Sequence, residues 1–485
     1  MHQLRRKNLP IVLFLLSVLL TATLSCSSDE IVTNPGSDLR FSSDTLSFDT
    51  LFSTVGSTTA WMTVHNTGDK TIRIASISLK SGGTSGFRIN LDGETKISFT
   101  DVEIPAHDSL FLFVEVKTSN QGASMPVKVT DAILFDTEGP RKQIVLEAWS
   151  WDAVFWKGKM ISSDTTFSAT KPIVIYDSLV VAEHTTLTLL PGTKMYFHDG
   201  AFMRVEGTLN AVGTKEAPVL LRGDRLDNVL PDLPYDFYPG QWGYLHFDTA
   251  SFNNQLDHVD IHGAYYGVIA ISTSSDKLKL RMSNSVIHNM VYNCLWNFDS
   301  DIEIENTQLT NSGSYTVKLV GGSSIFTHCT IANFQRFLNR EGQSLALVNF
   351  LNDAKDTSII WPYPASAEFR NCIVSGSQSE EVGLGKRANI PWFAFFKNCL
   401  LRSSKIPNTQ ATLDSCSYAS DAKFLKLGYE SDKYVYDFRL DSISPARNIG
   451  STKFLTTLPT DMNGISRTKD NKPDAGAFEW VHGQK

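Results

Sequence analysis

The chain has 485 residues, 44 of them basic and 51 acidic, for a formal net charge of −7. That length exceeds one small core, so two or three domains are expected. Beyond the first residues there is no Lys/Arg run, which argues against nucleic acid or an anionic lipid surface as a partner.

Residues 1–25 read as a secretory signal. Arg5, Arg6 and Lys7 form a basic start, residues 11–20 are apolar, and Thr23-Leu24-Ser25 precedes Cys26. The apolar run is too short to cross about 30 Å of hydrocarbon. Leu24-Ser25-Cys26 resembles the cleavage site of bacterial lipoproteins, and Ser27-Ser28-Asp29-Glu30 resembles the surface-export signal of Bacteroidota lipoproteins. This resemblance implies acylation of Cys26 and a lipid-anchored protein of the outer membrane, exposed at the cell surface. Each buried methylene of such an anchor contributes about 0.8 kcal/mol. Loss of residues 1–25 removes three basic and no acidic side chains, leaving 41 against 51, a net of −10. Residues 26–38, with Pro35 and Gly36, read as a flexible tether.

Residues 39–150 alternate apolar and polar side chains in runs at 45–51, 60–65, 72–79, 102–104, 110–116, 132–135 and 143–148. Turn signals such as Asn66-Thr67-Gly68-Asp69 and Glu138-Gly139-Pro140 separate them. Short strands so punctuated predict a β-sandwich. The phrases Val64-His65-Asn66-Thr67-Gly68 and Ile104-Pro105-Ala106-His107-Asp108-Ser109 resemble bacterial immunoglobulin-like domains. The inter-sheet disulfide of antibody domains is missing, so antibody-type function does not carry over. Residues 151–170, with Trp151 and Trp156 after Trp149, read as an aromatic joint packed between domains.

Residues 171–430 carry a repeat. Its copies are His258-Val259-Asp260-Ile261, Asn284-Ser285-Val286-Ile287, Asn306-Thr307-Gln308-Leu309, His328-Cys329-Thr330-Ile331, Asn371-Cys372-Ile373-Val374 and Asn398-Cys399-Leu400-Leu401. First positions are 26, 22, 22, 43 and 27 residues apart, and 43 reads as about two turns with one copy blurred. Such a period means stacked units that bury their apolar faces against one another. The first position and the one five residues later (Gly263, Asn289, Asn311, Asn333, Gly376) take Asn, Gly or His, which suits left-handed turns, and stacked Asn side chains can hydrogen-bond between turns. Cys329, Cys372 and Cys399 share the second position, so they are expected to stack as buried thiols. No CxxC or His/Cys spacing suggests a metal, and no cofactor is expected.

The run Thr186-Leu187-Thr188-Leu189-Leu190-Pro191-Gly192-Thr193, the run Val205-Glu206-Gly207-Thr208-Leu209-Asn210-Ala211-Val212-Gly213 and the later repeats resemble right-handed parallel β-helix lipoproteins of Bacteroidota. The likeness spans residues 171–480, about two-thirds of the chain. It implies an all-β chain: an N-terminal Ig-like β-sandwich, then a right-handed single-stranded parallel β-helix with a C-terminal cap over residues 431–485. That group includes lyases, hydrolases and adhesins, so it implies no single activity. Ser444-Pro445-Ala446-Arg447-Asn448-Ile449-Gly450 and Pro473-Asp474-Ala475-Gly476-Ala477-Phe478-Glu479 resemble the block that closes many secreted bacterial β-helices. Asp461, Arg467, Asp474 and Glu479 are accordingly assigned to hydrogen bonding within the cap.

Two Pro- and aromatic-rich stretches interrupt the repeat. Residues 224–243 carry Pro231, Pro234, Pro239, Tyr235, Phe237, Tyr238 and Trp242, and residues 352–365 carry Trp361 and Tyr363. Each is either a partner- or sugar-binding surface or a cover over the helix edge. Tyr235, Tyr238, Trp242, Trp361 and Tyr363 are the binding candidates. Paired carboxylates cleave glycosidic bonds, and Asp257, Asp260, Asp299 and Asp301 are the candidates if they share one face. The phrases that β-helix polygalacturonases place on successive rungs are missing. The leading expectation is therefore a non-enzymatic surface protein offering a rigid sheet to a glycan or to a partner protein of an outer-membrane complex. The alternative is a polysaccharide lyase or glycoside hydrolase.

Overall fold

The computed structural model describes residues 30–483 except 169, 231–232, 272–276, 429–433, 456–458 and 471. The signal segment, Cys26 and Pro231 lie outside the described residues. The chain divides into two compact units after Asp152.

The first unit is a β-sandwich. One sheet contains Thr71–Leu79, Val127–Asp136, Lys142–Trp151 and Thr45–Phe52, with Ile31–Val32 and Ser98–Ile104 both pairing with Thr71–Leu79. The other runs Leu39–Phe41, Ala60–Asn66, Ser109–Val116, Phe87–Leu91 and Glu94–Lys96. Their alternating inward side chains, among them Val64, Ile74, Ile89, Leu112, Val114, Ile133 and Leu146, form one buried core.

The second unit is a parallel β-helix whose coils lay down three stacked ladders. The third ladder is a 10-stranded sheet, with members such as Asn254–Asp257, Leu280–Ser283 and Ile302–Glu305. The first ladder includes Lys194–Phe197, Val219–Gly223, Val259–His262, Val286–Met290 and Gln308–Ser312. The second includes Phe202–Val205, Leu245–Phe247, Val268–Ile271, Leu295–Phe298 and Val317–Val320. These two ladders join in an 18-stranded sheet. In each strand alternate residues point inward: Leu256, Ile261, Val268, Ile287, Leu295 and Ile304 belong to one apolar column.

Left-handed residues form the corner between the third and first ladders. His258, Asn284, Asn306, His328, Asn371 and Asn398 all have φ between 46 and 54°. Asn, His and Gly tolerate that backbone better than branched residues do. The asparagines also bond between coils: Asn284 donates to Asp257 (2.8 Å) and Asn306 donates to Asn284 (3.2 Å). Five residues on, Gly263, Asn289 and Asn311 are left-handed as expected (φ 73, 57 and 60°). Asn333 and Gly376 are not. Asn333 instead uses its amide to grip the neighbouring coil, donating to the Ser312 carbonyl at 2.7 Å. A Cβ on Gly376 would lie 2.1 Å from the Glu381 carboxylate, so lack of a side chain is the requirement there.

Three expectations need revision. The 43-residue interval is one coil, because Thr330–Asn333 pairs directly with Ile373–Gly376. The extra length goes into residues 335–344 and a hairpin of Phe350–Asn352 with Ile360–Pro362. Residues 151–170 contain the division between the units, after Asp152, but from Val154 onward they belong to the first coil. Val154–Ile161 pairs in parallel with Ile173–Val181, and Thr165–Phe167 starts the third ladder. Trp156 packs on Phe167 (4.9 Å) in that first coil, whereas Trp151 stacks on Phe52 within the sandwich (6.2 Å).

The C-terminal cap, thirdly, covers a flank. Ala422, Phe424, Phe438, Leu440 and Ala446 bury against the outward residues Ala332, Ile373 and Leu400 of the first ladder. The chain then runs back along the corner asparagines. Asn398 donates to the Ile449 carbonyl (3.0 Å), Asn371 to that of Ser451 (3.0 Å) and Asn306 to that of Thr460 (2.7 Å). Arg467 is fully buried, held by Glu479 (2.7 Å), Asn306 (2.7 Å) and the Gly476 carbonyl (3.1 Å). Asp461 and Asp474 accept backbone N–H groups of Glu479 (2.8 Å) and Asn448 (2.7 Å), the cap role assigned to them.

Cys294, Cys329, Cys372 and Cys399 are buried and free, and Cys416 is free and partly covered. Cys329, Cys372 and Cys399 stack as the register requires, the Cys372 sulfur accepting the Cys329 N–H at 3.4 Å.

Candidate functional site

The outward face of the first ladder carries a group of ionisable side chains near solvent. Strand alternation sends Asp260 and His262 outward because Val259 and Ile261 point into the core. His262 sits opposite His288 in the next coil, and the two rings stack with centroids 4.7 Å apart. Asp260 Oδ1 lies 2.8 Å from His262 Nδ1 and 3.4 Å from His288 Nε2. In the preceding coil Arg222 faces outward beside Leu221, its guanidinium 5.8 Å from the Tyr196 ring centroid.

Residues 224–243 complete the group. They form a small hairpin, Asn228–Leu230 with Leu233–Pro234, then a 3-10 turn Tyr235–Phe237. Gln241 ties the turn down by donating to the Tyr238 carbonyl at 2.8 Å, and Asn289 donates to the Asp236 carbonyl at 3.3 Å. Asp236 thereby pairs with Arg222 and reaches within 3.5 Å of His262 Nε2. The His262 and Arg222 side chains are only 7% and 9% exposed, whereas Asp236 and Asp260 are 48% and 35% exposed. The acids therefore form the solvent side.

Burial alone would raise the Asp260 carboxyl, but the two imidazoles outweigh it and hold the group well below its ordinary value. Burial likewise opposes ionisation of Asp236, and His262 with Arg222 reverses the sign. Burial disfavours the His262 imidazolium, while Asp260 and Asp236 more than offset that and raise it. The arrangement offers a carboxylate–imidazole pair for proton transfer. It also offers ligand atoms from Asp260, His262 and His288 that all lie within 4.8 Å of one another.

The four candidate aspartates do not share a face. Asp257 ends a third-ladder strand and accepts from Ser283 (2.9 Å) and Asn284 (2.8 Å). The left-handed turn at His258 then redirects the chain, so Asp260 faces elsewhere. Asp299 and Asp301 flank the turn between the second and third ladders, where Asp301 accepts the Ser323 N–H at 3.2 Å. Burial and then the Asp299 charge raise the Asp301 carboxyl.

Trp242 is not a binding residue. It is fully buried, stacked on Phe197 at 4.3 Å, and donates to the His262 carbonyl at 2.8 Å. Tyr235 lies under Arg225 (4.3 Å), Tyr238 contacts Phe337 edge-on (5.6 Å) and Tyr363 contacts Phe298 (4.8 Å). Trp361 is 51% exposed on the second hairpin.

A row of rings that the sequence reading passed over lies at the corner after the first ladder and runs into the second ladder at Trp296. Tyr265, Tyr266, Tyr292 and Trp296 come from two successive coils. Tyr266 stacks on Tyr292 at 4.7 Å and lies 6.0 Å from Trp296, while Tyr265 lies 6.3 Å from Tyr292. In the next coil Lys318 continues the row over Trp296 and Tyr315 (5.5 and 5.6 Å). Tyr265 and Tyr292 are 40% and 44% exposed. His262 and His288 did leave a signal: both are the fifth residue of their repeat copies, so the period stacks them. Arg222 and Asp236 left none.

No family model and no curated protein matches the chain. Among solved structures it is similar to a pectate lyase, Pel9A, at 13% identity and a TM-score of 0.35, over 68% of this chain and 88% of that one. It is also similar to a PapD-like domain of human CEP192, at 10% identity and a TM-score of 0.18, over 26% of this chain and 95% of that one. Neither likeness carries an activity to this chain, and the fold assignment rests on the ladders themselves.

Proposed function

We propose that the chain is a lipid-anchored surface protein of the outer membrane whose β-helix binds an extended glycan without cleaving it. The supporting observation is the row of rings on successive coils. Tyr265 and Tyr292, the exposed members of the row, combine apolar rings with polar hydroxyls, which suits the C–H groups and hydroxyls of sugars. A ligand with repeating units matches a surface that repeats at the rung spacing of roughly 4.8 Å. The partly exposed carboxylates of Asp236 and Asp260 on the first ladder's outward face add acceptors for sugar hydroxyls. Anchoring rests on Leu24-Ser25-Cys26. A Cys26→Ala form is expected to leave the membrane fraction, and one that still sediments with membranes contradicts the anchor.

A second reading, cleavage of the bound glycan, draws on the Asp260–His262 pair with His288 and Arg222 beside it, groups able to move a proton and neutralise an acidic sugar. Incubation with acidic and neutral polysaccharides separates the two readings: unchanged chain length with saturable binding supports the first, and shortened chains support the second. A protein partner within the outer membrane has its own candidate surface on the sandwich, where Trp61, Phe111 and Phe113 are 58%, 51% and 37% exposed.

A further inference from the structure

The geometry points to a divalent transition-metal site of the zinc type on Asp260, His262 and His288, with Asp236 as the residue that orients His262. This goes beyond glycan binding and does not depend on it. Two imidazoles and one carboxylate are the donors that borderline metals such as Zn²⁺ select, whereas Ca²⁺ and Mg²⁺ favour all-oxygen sets. Donors sharing one such ion at about 2.0–2.2 Å stand roughly 3–3.5 Å apart. Asp260 Oδ1 is 2.8 Å from His262 Nδ1 and 3.4 Å from His288 Nε2, and the three ligand atoms all lie within 4.8 Å of one another, so closure of the two imidazoles about Asp260 would admit an ion.

A second observation is independent of those distances. The far nitrogen of His262, Nε2, is buried and lacks a hydrogen bond, and it faces Asp236 Oδ1 at 3.5 Å. A histidine that binds metal through Nδ1 must carry its proton on Nε2 and commonly gives it to a carboxylate. Asp236 stands at that position, fixed by Arg222. Without an ion, a neutral His262 can satisfy Asp260 through an Nδ1 proton, leaving Nε2 without a proton for Asp236. With an ion, both ring nitrogens are used. The ligands sit on paired strands of adjacent coils, which limits the reorganisation binding requires. Partial exposure of Asp260 leaves the fourth position to water or a ligand oxygen.

The test is calorimetric titration of the purified full chain with zinc chloride and, separately, calcium chloride, with cobalt absorption spectra as a second readout of nitrogen and oxygen ligation. Zinc is expected to bind one per chain. Binding should fall at least 100-fold in His288→Ala and about 10–100-fold in Asp236→Asn, the range for loss of a residue that orients a ligand. His288 is the less buried histidine, so its variant is the one to use if His262→Ala fails to fold. No zinc binding, zinc binding unchanged in His288→Ala, or calcium bound as tightly as zinc would each overturn the site.

Discussion

At the scale of single residues, period and backbone chemistry together decide which side chains are structural. Asn284, Asn306 and Asn398 occupy the first repeat position because the corner needs φ near +50°, and their side chains are committed to neighbouring coils or to the cap. Lys279 is a different case. It is fully buried beside the third ladder, with Nζ donating to the Asp248 carbonyl at 2.6 Å and lying 4.9 Å from the Phe252 ring centroid. Burial lowers its pKa from 10.5 to about 8, against the attraction of Asp248. Below pH 8 both folded and unfolded chains hold the proton, and the full burial penalty is present. Between about pH 8 and 10.5 the unfolded chain binds more protons, so this group's contribution to stability rises with pH. Urea unfolding of the parent and of Lys279→Met should show the parent gaining on the variant across that window. A difference that stays flat from pH 7 to 10.5 contradicts the assignment.

At the scale of elements, the cap is a strap along the corner where the repeat presents Asn398, Asn371 and Asn306 in line. Arg467 locks it, since Asn306, Glu479 and the Gly476 carbonyl all bond one guanidinium. Arg467→Ala removes the donor shared by Glu479, Asn306 and the Gly476 carbonyl and leaves these buried acceptors short of a partner, at a cost of about 1–3 kcal/mol. Limited proteolysis should then cut within residues 441–480 while the ladders stay protected. Equal resistance in the parent and the variant would mean that the strap is held by something else. The strap also explains what the sequence hid. The C-terminal phrases announce a cap, but nothing local to them says that Ala332, Ile373 and Leu400 are its target. The 43-residue interval misleads for a related reason: repeat counting assumes equal coils, and a hairpin inserted between two ladders leaves the next rung in register. Residues 151–170 drew attention for their tryptophans, and Val154–Ile161, exposed along most of its length, carries no inward alternation that would mark it as a first coil.

For the whole molecule, two all-β units follow from alternation and turn chemistry, and the strands around Val64, Leu112 and Leu146 fall where the apolar periodicity puts them. Reading a site is harder, because a β-helix separates sequence neighbours by face. Asp257 and Asp260 are three residues apart yet face different ways, whereas His262 and His288 are 26 apart and stack. Register could have paired the histidines. Only the folded path of residues 224–243 brings Asp236 to Arg222. The central claim is that the rings at the corner after the first ladder bind a glycan. Its most direct test is titration of the purified chain and of Tyr292→Ala and Trp296→Ala against a panel of surface polysaccharides. Melting curves should first establish that the variants stay folded. The account predicts saturable binding of at least one polysaccharide by the parent, weakened about tenfold or more in each variant, the effect of losing a stacking contact worth roughly 1.4 kcal/mol. No binding by the parent, or variants that bind as tightly as the parent, would contradict it.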